Sequence, residues 1–440
     1  MRWRWIVLGG CLVLAAIRFA VSGVYTPVSA PNLAHIEQAG GPLYEAIRTG
    51  APVKFVTKGT YGPLFFMTLD PLVRRYASEP RKLGLSLYAL QLLAVGVGLF
   101  FTWRSIREWF VAPAGRAGVA IGPREGLALL VFLWLTFSPM YYIMSTKNVE
   151  TWELGLLAAG LFAYIRSWRS LAGLCVAAAA LAKVLPLFFL LYFLIRDRRT
   201  LMYTLAWMAG ILSISHVLYG PELGLRYLPA LAMAGAGDAY ALTWHENMSL
   251  KGQVVKAFGG WHLDPGYGTI VSPANLRIAI VVGWALQAAA VAWMCYLLVR
   301  GPGQISASKR IAWEWSLTSV VMLLVSPNTS YEYMTLALIA FSVAGAIVLT
   351  DDRLRGDWRV VALLVAAVVL VGTVLPRQLF NRLLPLDWLN RLAGNTHIGL
   401  SEAYQVYGFP LIGLLCLAGV LWLIRLHAAA ARPSEVASVP

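Results

Sequence analysis

The sequence predicts an all-α polytopic membrane protein, and three observations carry that reading. Of its 440 residues, 59% are apolar and only 13% charged, a balance typical of chains that live largely in lipid. Apolar runs long enough to cross a bilayer recur along the whole chain, each needing about 20 residues as a helix. Lys and Arg gather in short groups beside these runs, where they set orientation. The formal net charge of +15 therefore points to orientation and anionic headgroups, and no nucleic-acid partner is expected.

The first span runs from about Trp5 to Val24, with Arg2 and Arg4 holding the N-terminus inside. Its charge and length resemble a signal peptide, but it shows no clear small-x-small cleavage site and many spans follow. Residues 25–82 form a long outer segment. Within it Leu33 to Thr49 is amphipathic, and Tyr61 to Val73 reads as a second interfacial element because Arg74, Arg75, Arg81 and Lys82 follow. The second span returns from Leu83 to Trp103 and the third leaves from Glu125 to Tyr142. A short outer turn, Ser145 to Glu150, leads into the fourth span, Thr151 to Ile165.

The stretch from Ser167 to Thr200 does not fit one span. Arg166 and Arg169 precede it and Arg196, Arg198 and Arg199 close it, so both ends are cytoplasmic. One helix cannot return to the side it left, and the apolar run of roughly 25 residues is too short for two full spans. Two short helices meeting at Lys183 to Pro186 satisfy both constraints, since proline removes a donor and disfavours helix just before it. The break leaves Lys183 near the outer face of the membrane, with no acid between Glu153 and Asp197. Such a cation either meets an anion or snorkels to the interface.

The seventh span, Leu201 to Leu218, opens the outer loop Tyr219 to Ala274. The eighth to twelfth follow at Asn275–Val299, Trp313–Val325, Tyr333–Leu349, Val360–Leu375 and Val406–Ile424, with a third outer segment from Pro376 to Gln405. About twelve spans with both termini inside satisfy the short loops. Residues 1–426 then form one transmembrane domain, and residues 427–440 a cytoplasmic tail. The four cysteines lie singly inside spans, so no disulfide framework or metal spacing results, and no metal or other cofactor is expected.

Short inner loops and large outer ones place any chemistry outside. The outer polar groups come from separate segments: His35, Glu37, Glu45 and Asp70; Lys147, Asn148, Glu150 and Glu153; Lys183; His245, Glu246, Asn247 and Lys251; Asn328, Ser330 and Glu332. Convergence of such segments suits a large amphipathic substrate, although each group alone is also ordinary outer-surface polarity. Lys147 and Asn148 sit in a very short turn, so with Lys183 they form a cationic, hydrogen-bonding pocket at phosphate depth. A phosphate held by an ammonium is a good leaving group, and an outer carboxylate can take the acceptor's proton.

The quoted residues resemble glycosyltransferase family 87, membrane enzymes of the GT-C superfamily. The resemblance runs from Tyr61-Gly62-Pro63-Leu64 through Lys147-Asn148, the Lys183 to Pro186 break and NMSLKGQVVKAF (Asn247 to Phe258) to LVSPNTSYEY (Leu324 to Tyr333). It implies a GT-C-type helical bundle in a bacterial inner membrane, with an extracytoplasmic active site. It further implies a polyprenyl-phosphate sugar as donor and a glycolipid or glycan as acceptor, with membrane lipids around it. It assigns Lys183 to the donor phosphate, beside the Lys147 and Asn148 that the short turn supplies; the expected outer-face placement of His245, Asn247, Lys251 and Glu332 puts them near substrate. Asn247, Ser249 and Gly252 match the family's N-x-S-x-x-G pattern, and Ser326-Pro327 its SP step. The superfamily's base, an Asp soon after the first span, has no counterpart before Asp70; Gly40 stands at the matching place. Glu37 and Glu45 are the nearest replacements, with Asp70 more remote. A carrier for a lipid-linked sugar or polar solute, or a catalytically silent relative, are the other readings.

Overall fold

A computed structural model describes residues 9–10, 12–17, 61–76, 78–111, 121–146, 148–221, 223, 242–303, 305–372 and 386–430. Residues 9–10 and 12–17, within the expected first span, are helical. The expected amphipathic segment Leu33 to Thr49 and residues 376–385 of the third outer segment lie outside the described residues. Among the described residues every element is helical, joined by three isolated β-bridges.

The chain forms α1 (Pro63–Tyr76), α2 (Pro80–Ile106), α3 (Pro123–Thr136), α4 (Ser138–Thr146) and α5 (Glu150–Ile165). Proline opens α1, α2 and α3, the position where its missing N–H costs nothing. The third span, expected as one helix, bends by 54° between α3 and α4. The break is at Phe137, which is extended (ψ 110°), and Pro139 accounts for it, since proline has no N–H to continue the helix and its ring clashes with the carbonyl four residues back.

The short pair follows as α6 (Arg169–Ala182) and α7 (Phe189–Arg196), linked by a 3-10 turn at Leu185–Phe188. Lys183 between them is extended, with φ −152° and ψ 148°, so the break falls inside the expected Lys183 to Pro186 stretch, although Leu185, the residue before the proline, lies in the 3-10 turn. Next come α8 (Arg198–Tyr219), α9 (Leu250–Phe258), α10 (Pro273–Arg300) and α11 (Ala307–Val325). A 3-10 turn at Tyr331–Leu336 runs into α12 (Ala337–Thr350). The chain ends with α13 (Asp352–Gly356), α14 (Trp358–Gly372), α15 (Leu386–Leu392), α16 (Leu400–Val406) and α17 (Phe409–Ala430). Helix α17 runs past the expected start of the tail at residue 427, through an alanine run that favours helix.

Among the described residues five helices are long and apolar enough to cross a membrane, six if the bent α3–α4 pair is one span. The remaining apolar helices among the described residues, α6, the Leu185–Arg196 segment and α14, are shorter than a full span. Membrane character is also plain from the surface. Helix α8 exposes Met202, Ile214, Val217 and Leu218, and α10 exposes Ile278, Val281, Trp284 and Val299. Water would penalise such faces heavily, whereas lipid does not.

Helices α11 and α12 form the buried centre. Trp315 gathers Phe189, Tyr192, Phe193 and Tyr164, with ring centroids 4.5 to 6.3 Å away. At the C-terminal end of α7 buried Glu314 accepts from Arg196 at 2.8 Å and Arg310 at 3.0 Å, tying α7 to α11. Helix α5 packs on α2 so closely that a carbon added at Gly155 would lie 2.7 Å from the Ala94 carbonyl oxygen. Small residues permit such approaches in lipid, where helices gain nothing from hydrophobic exclusion.

A second close approach shapes the site. The Gly62 N–H donates to Ala182 O at 2.9 Å, and Tyr61 bridges Lys183 in antiparallel fashion. A carbon at Gly62 would lie 2.1 Å from Leu181 O, so any side chain there must separate α1 from the break. Gly62→Ala is expected to cost about 1 to 3 kcal/mol, lowering the apparent unfolding temperature in detergent by several degrees. Gly210→Ala, with nothing within 4 Å of the added carbon, is expected to match or exceed wild type. Thermal scans at one rate check both, and equal curves for all three proteins would remove the constraint.

Candidate active site

The break after α6 presents the Lys183 side chain, 3% exposed, to three other segments. An ammonium withdrawn from water needs a counter-charge and further contacts. Glu150, at the first turn of α5, supplies the charge through a direct ion pair. The rings of Tyr61 and Tyr333 lie 4.8 and 4.3 Å from the ammonium, within cation–π range. Lys183 is therefore neither a snorkelling residue nor a bare cation.

Asn148 continues the cluster. Tyr61 OH donates to its Oδ1 at 2.7 Å, and its Nδ2 donates to Glu332 Oε1 at 3.3 Å. Ser330 Oγ donates to the other Glu332 oxygen. The turn carrying Asn148 is itself pinned, since Gln91 of α2 donates to Asn148 O at 2.9 Å and Ile143 O at 3.2 Å. Four segments thus converge: the start of α1, the α4–α5 turn, the α6–α7 break and the 3-10 turn before α12.

The described part of the long loop between α8 and α10 adds a second group. Tyr142 OH donates to Glu246 Oε1 at 3.4 Å, and His245 Nε2 lies 3.8 Å from the same oxygen. The Glu246 side chain is 25% exposed, which makes it more open than Glu150 or Glu332. Burial, reinforced by nearby Glu332, pushes its carboxyl above the usual range. Burial pulls the His245 imidazole down to about 4, helped by the Lys256 charge. Burial also pulls Lys256 down to about 7, although its ammonium donates to His245 O at 2.6 Å and Asn247 O at 2.8 Å.

The residues singled out in the sequence separate into three sets. Lys183, Asn148 and Glu332 come together in one network, with His245 beside them through Glu246 and Tyr142. Asn247 is a clamp: it donates to Pro327 O at 3.0 Å and accepts from Thr329 N at 3.3 Å and Ser249 N at 3.1 Å. Ser249 caps α9 through the Gly252 N–H at 3.1 Å, so this pattern serves local structure. Lys251 stands apart, its ammonium 5.7 Å from the Trp284 ring of α10. Glu37, Glu45 and Lys147 lie outside the described residues.

Tyr61 and Tyr333 are site residues that spacing alone did not single out. The signal for Tyr61 was Gly62, a glycine at the mouth of a helix, where backbone approach is cheapest. Glu150 was among the outer polar groups the sequence brought out, but its pairing with Lys183 carried no signal, because the two are 33 positions apart. No group of three or more His, Cys, Asp or Glu with metal-holding geometry occurs among the described residues. The arrangement offers a buried cation, hydrogen-bonding amides and hydroxyls, and carboxylates of graded exposure, which together can hold an anion and accept a proton.

The family model of glycosyltransferase family 87 matches residues 60–327. The match takes in Tyr61, Asn148, Glu150, Lys183, His245 and Asn247, and stops short of Glu332. None of the curated proteins matches the chain.

The His245 shift has a consequence for stability. The unfolded imidazole takes a proton near 6.5 while the folded one resists until about 4, so stability is lost as pH falls through that window and levels off below it. The apparent unfolding temperature of wild type is expected to drop between pH 6.5 and 4, and His245→Gln to flatten part of that drop. Parallel wild-type and variant slopes would remove His245 as the cause.

Proposed function

The chain belongs to glycosyltransferase family 87, and on that premise we propose that it transfers a mannose-like hexose from a polyprenyl-phosphate donor to an extracytoplasmic glycolipid or glycan. The membrane glycosyltransferase class follows from the family and the apolar helices. The observation that carries the finer reading is Lys183, a buried cation at the break between two short helices, ringed by tyrosines and hydrogen-bonding side chains.

In this reading the donor's phosphate binds Lys183, with Lys147 and Asn148 beside it, and its lipid chain stays in the bilayer. An acceptor hydroxyl attacks the anomeric carbon from the opposite face. The new carbon–oxygen bond forms as the bond to the phosphate oxygen breaks, with inversion. The electron pair leaves on the phosphate, whose developing charge Lys183 stabilises. The hydroxyl proton passes to a carboxylate, for which Glu37 and Glu45 are the candidates. The leaving phosphate needs no protonation, so a second acid is unnecessary. His245, Asn247, Lys251 and Glu332 are read as substrate-proximal.

Residues 1–426 form the catalytic unit in this account, with about twelve spans, both termini in the cytoplasm of a bacterium and the site facing outward. Orientation rests on the basic groups at the expected inner ends, such as Arg166, Arg169, Arg196, Arg198 and Arg199. One observation favours a silent relative instead: Lys183 already has a carboxylate partner in Glu150.

Purified protein supplied with radiolabelled polyprenyl-phosphate mannose and membrane lipid extract separates the two. Wild type is expected to form labelled glycolipid, with Lys183→Ala slower by about 100-fold or more. Glu37→Gln or Glu45→Gln, whichever removes the base, is expected to lose a factor of about 100 to 10,000. Absence of transfer from mannose, glucose and arabinose donors alike would favour the silent reading.

A further inference from the structure

A cation that already owns a buried counter-ion cannot accept a second anion without a charge problem. The Lys183 ammonium is paired with Glu150, and both side chains are withdrawn from solvent, 4% and 0% exposed. A donor phosphodiester brings one more negative charge. If Lys183 turns to the phosphate, Glu150 is left as a buried carboxylate without its partner, which is among the costliest arrangements a protein interior can hold. Its surroundings offer no other cation among the described residues. Glu150 faces Lys183 from the α6–α7 break, Tyr61 from the start of α1, Glu332 and Tyr333 from the 3-10 turn, and Glu153 from its own helix.

Glu153 sharpens the point. It is fully buried one turn beyond Glu150, and neither of its carboxyl oxygens has a hydrogen-bond partner among the described residues. The second Glu150 oxygen is likewise unpartnered there. Two carboxyl groups with three open acceptor positions, beside one ammonium, form a place where a proton is readily shared.

We propose that Glu150 is an exchangeable counter-ion: the lipid-linked phosphodiester replaces it on Lys183, and the Glu150/Glu153 pair takes up one proton as the phosphate enters. This rests on the donor-phosphate reading of Lys183 and adds a proton to the binding step. Charge balances, since one negative charge and one proton enter together and the ammonium keeps one anionic partner. Glu150 is a positioning residue here, holding Lys183 between the tyrosine rings until donor arrives. Donor binding weakens with rising pH, approaching tenfold per unit once the pair is ionised in the empty site.

Isothermal titration of wild type with methyl farnesyl phosphate tests this. The probe is a phosphodiester whose charge does not change near neutrality. Run in buffers of different ionisation enthalpy, the heats are expected to report uptake of about one proton per bound ligand. Farnesol, the same chain without phosphate, is expected to show no uptake. Glu150→Gln removes the competing charge, and is expected to bind the phosphodiester about tenfold more tightly at pH 8 with little pH dependence. Wild-type binding without proton uptake, or equal uptake with farnesol, overturns the exchange whether or not the variant folds, and so does weaker binding by a folded Glu150→Gln. Lys183→Ala separates the two claims. If it binds as wild type does, the donor-phosphate reading itself fails; if it loses binding while wild type takes up no proton, only the exchange fails.

Discussion

The Lys183–Glu150 ion pair is the contact around which one end of the bundle is built. A charge in a low-dielectric interior demands a partner, and the demand fixes geometry more tightly than apolar packing can. Helix α5 must begin where its first turn meets the break after α6, and α1 must approach that break closely enough for Tyr61 to lie over the ammonium. The 3-10 turn before α12 must bring Tyr333 in from the other side. Four segments distant in sequence are thereby held in one register, with Asn148 spanning Tyr61 and Glu332.

The rest of the fold supplies rigidity to that register. Gly62 lets backbone touch backbone, and Gln91 pins the α4–α5 turn from α2. Deeper in the bundle the aromatic group around Trp315 locks α5, α7 and α11 together, and Glu314 fastens the C-terminal end of α7 through Arg196. The short helices α6 and α7 are thus anchored at their bases while their junction carries the polar chemistry. Asn247 and Lys256 do the same for the large loop, stapling its backbone to the segment after α11 and to α16.

Much of this was legible in the sequence for local reasons. Basic residues at both ends of an apolar run too short for two spans, with Pro186 in the middle, pointed to the broken hairpin, and the break falls at Lys183. Span positions followed from apolar runs and their basic flanks. The α3–α4 bend was also written locally, in Pro139, but a continuous apolar run concealed it. Length and hydropathy cannot fix the span count either, because α6, α7 and α14 are too short to be recognised alone. Partnership was the illegible part. Lys183 has no acid within its own hairpin, and nothing in spacing said that Glu150 would cross from a neighbouring turn to meet it. Lys251, which its motif singled out, packs against Gly283 and Trp284 of α10, a contact its spacing did not announce. A motif records which residues recur together, and tertiary packing decides which of them share a cavity.

The account stands on Lys183 being the place where a lipid-linked phosphate binds. The most direct test is a cryo-electron microscopy structure of the protein in nanodiscs with a non-transferable polyprenyl-phosphonate sugar. The account predicts a phosphonate oxygen at about 3 Å from Lys183 Nζ, with Glu150 moved off the ammonium and the sugar ring between Lys183 and the outer carboxylates. A phosphonate bound elsewhere, with the Lys183–Glu150 pair intact, would contradict it and make that pair a purely structural tie.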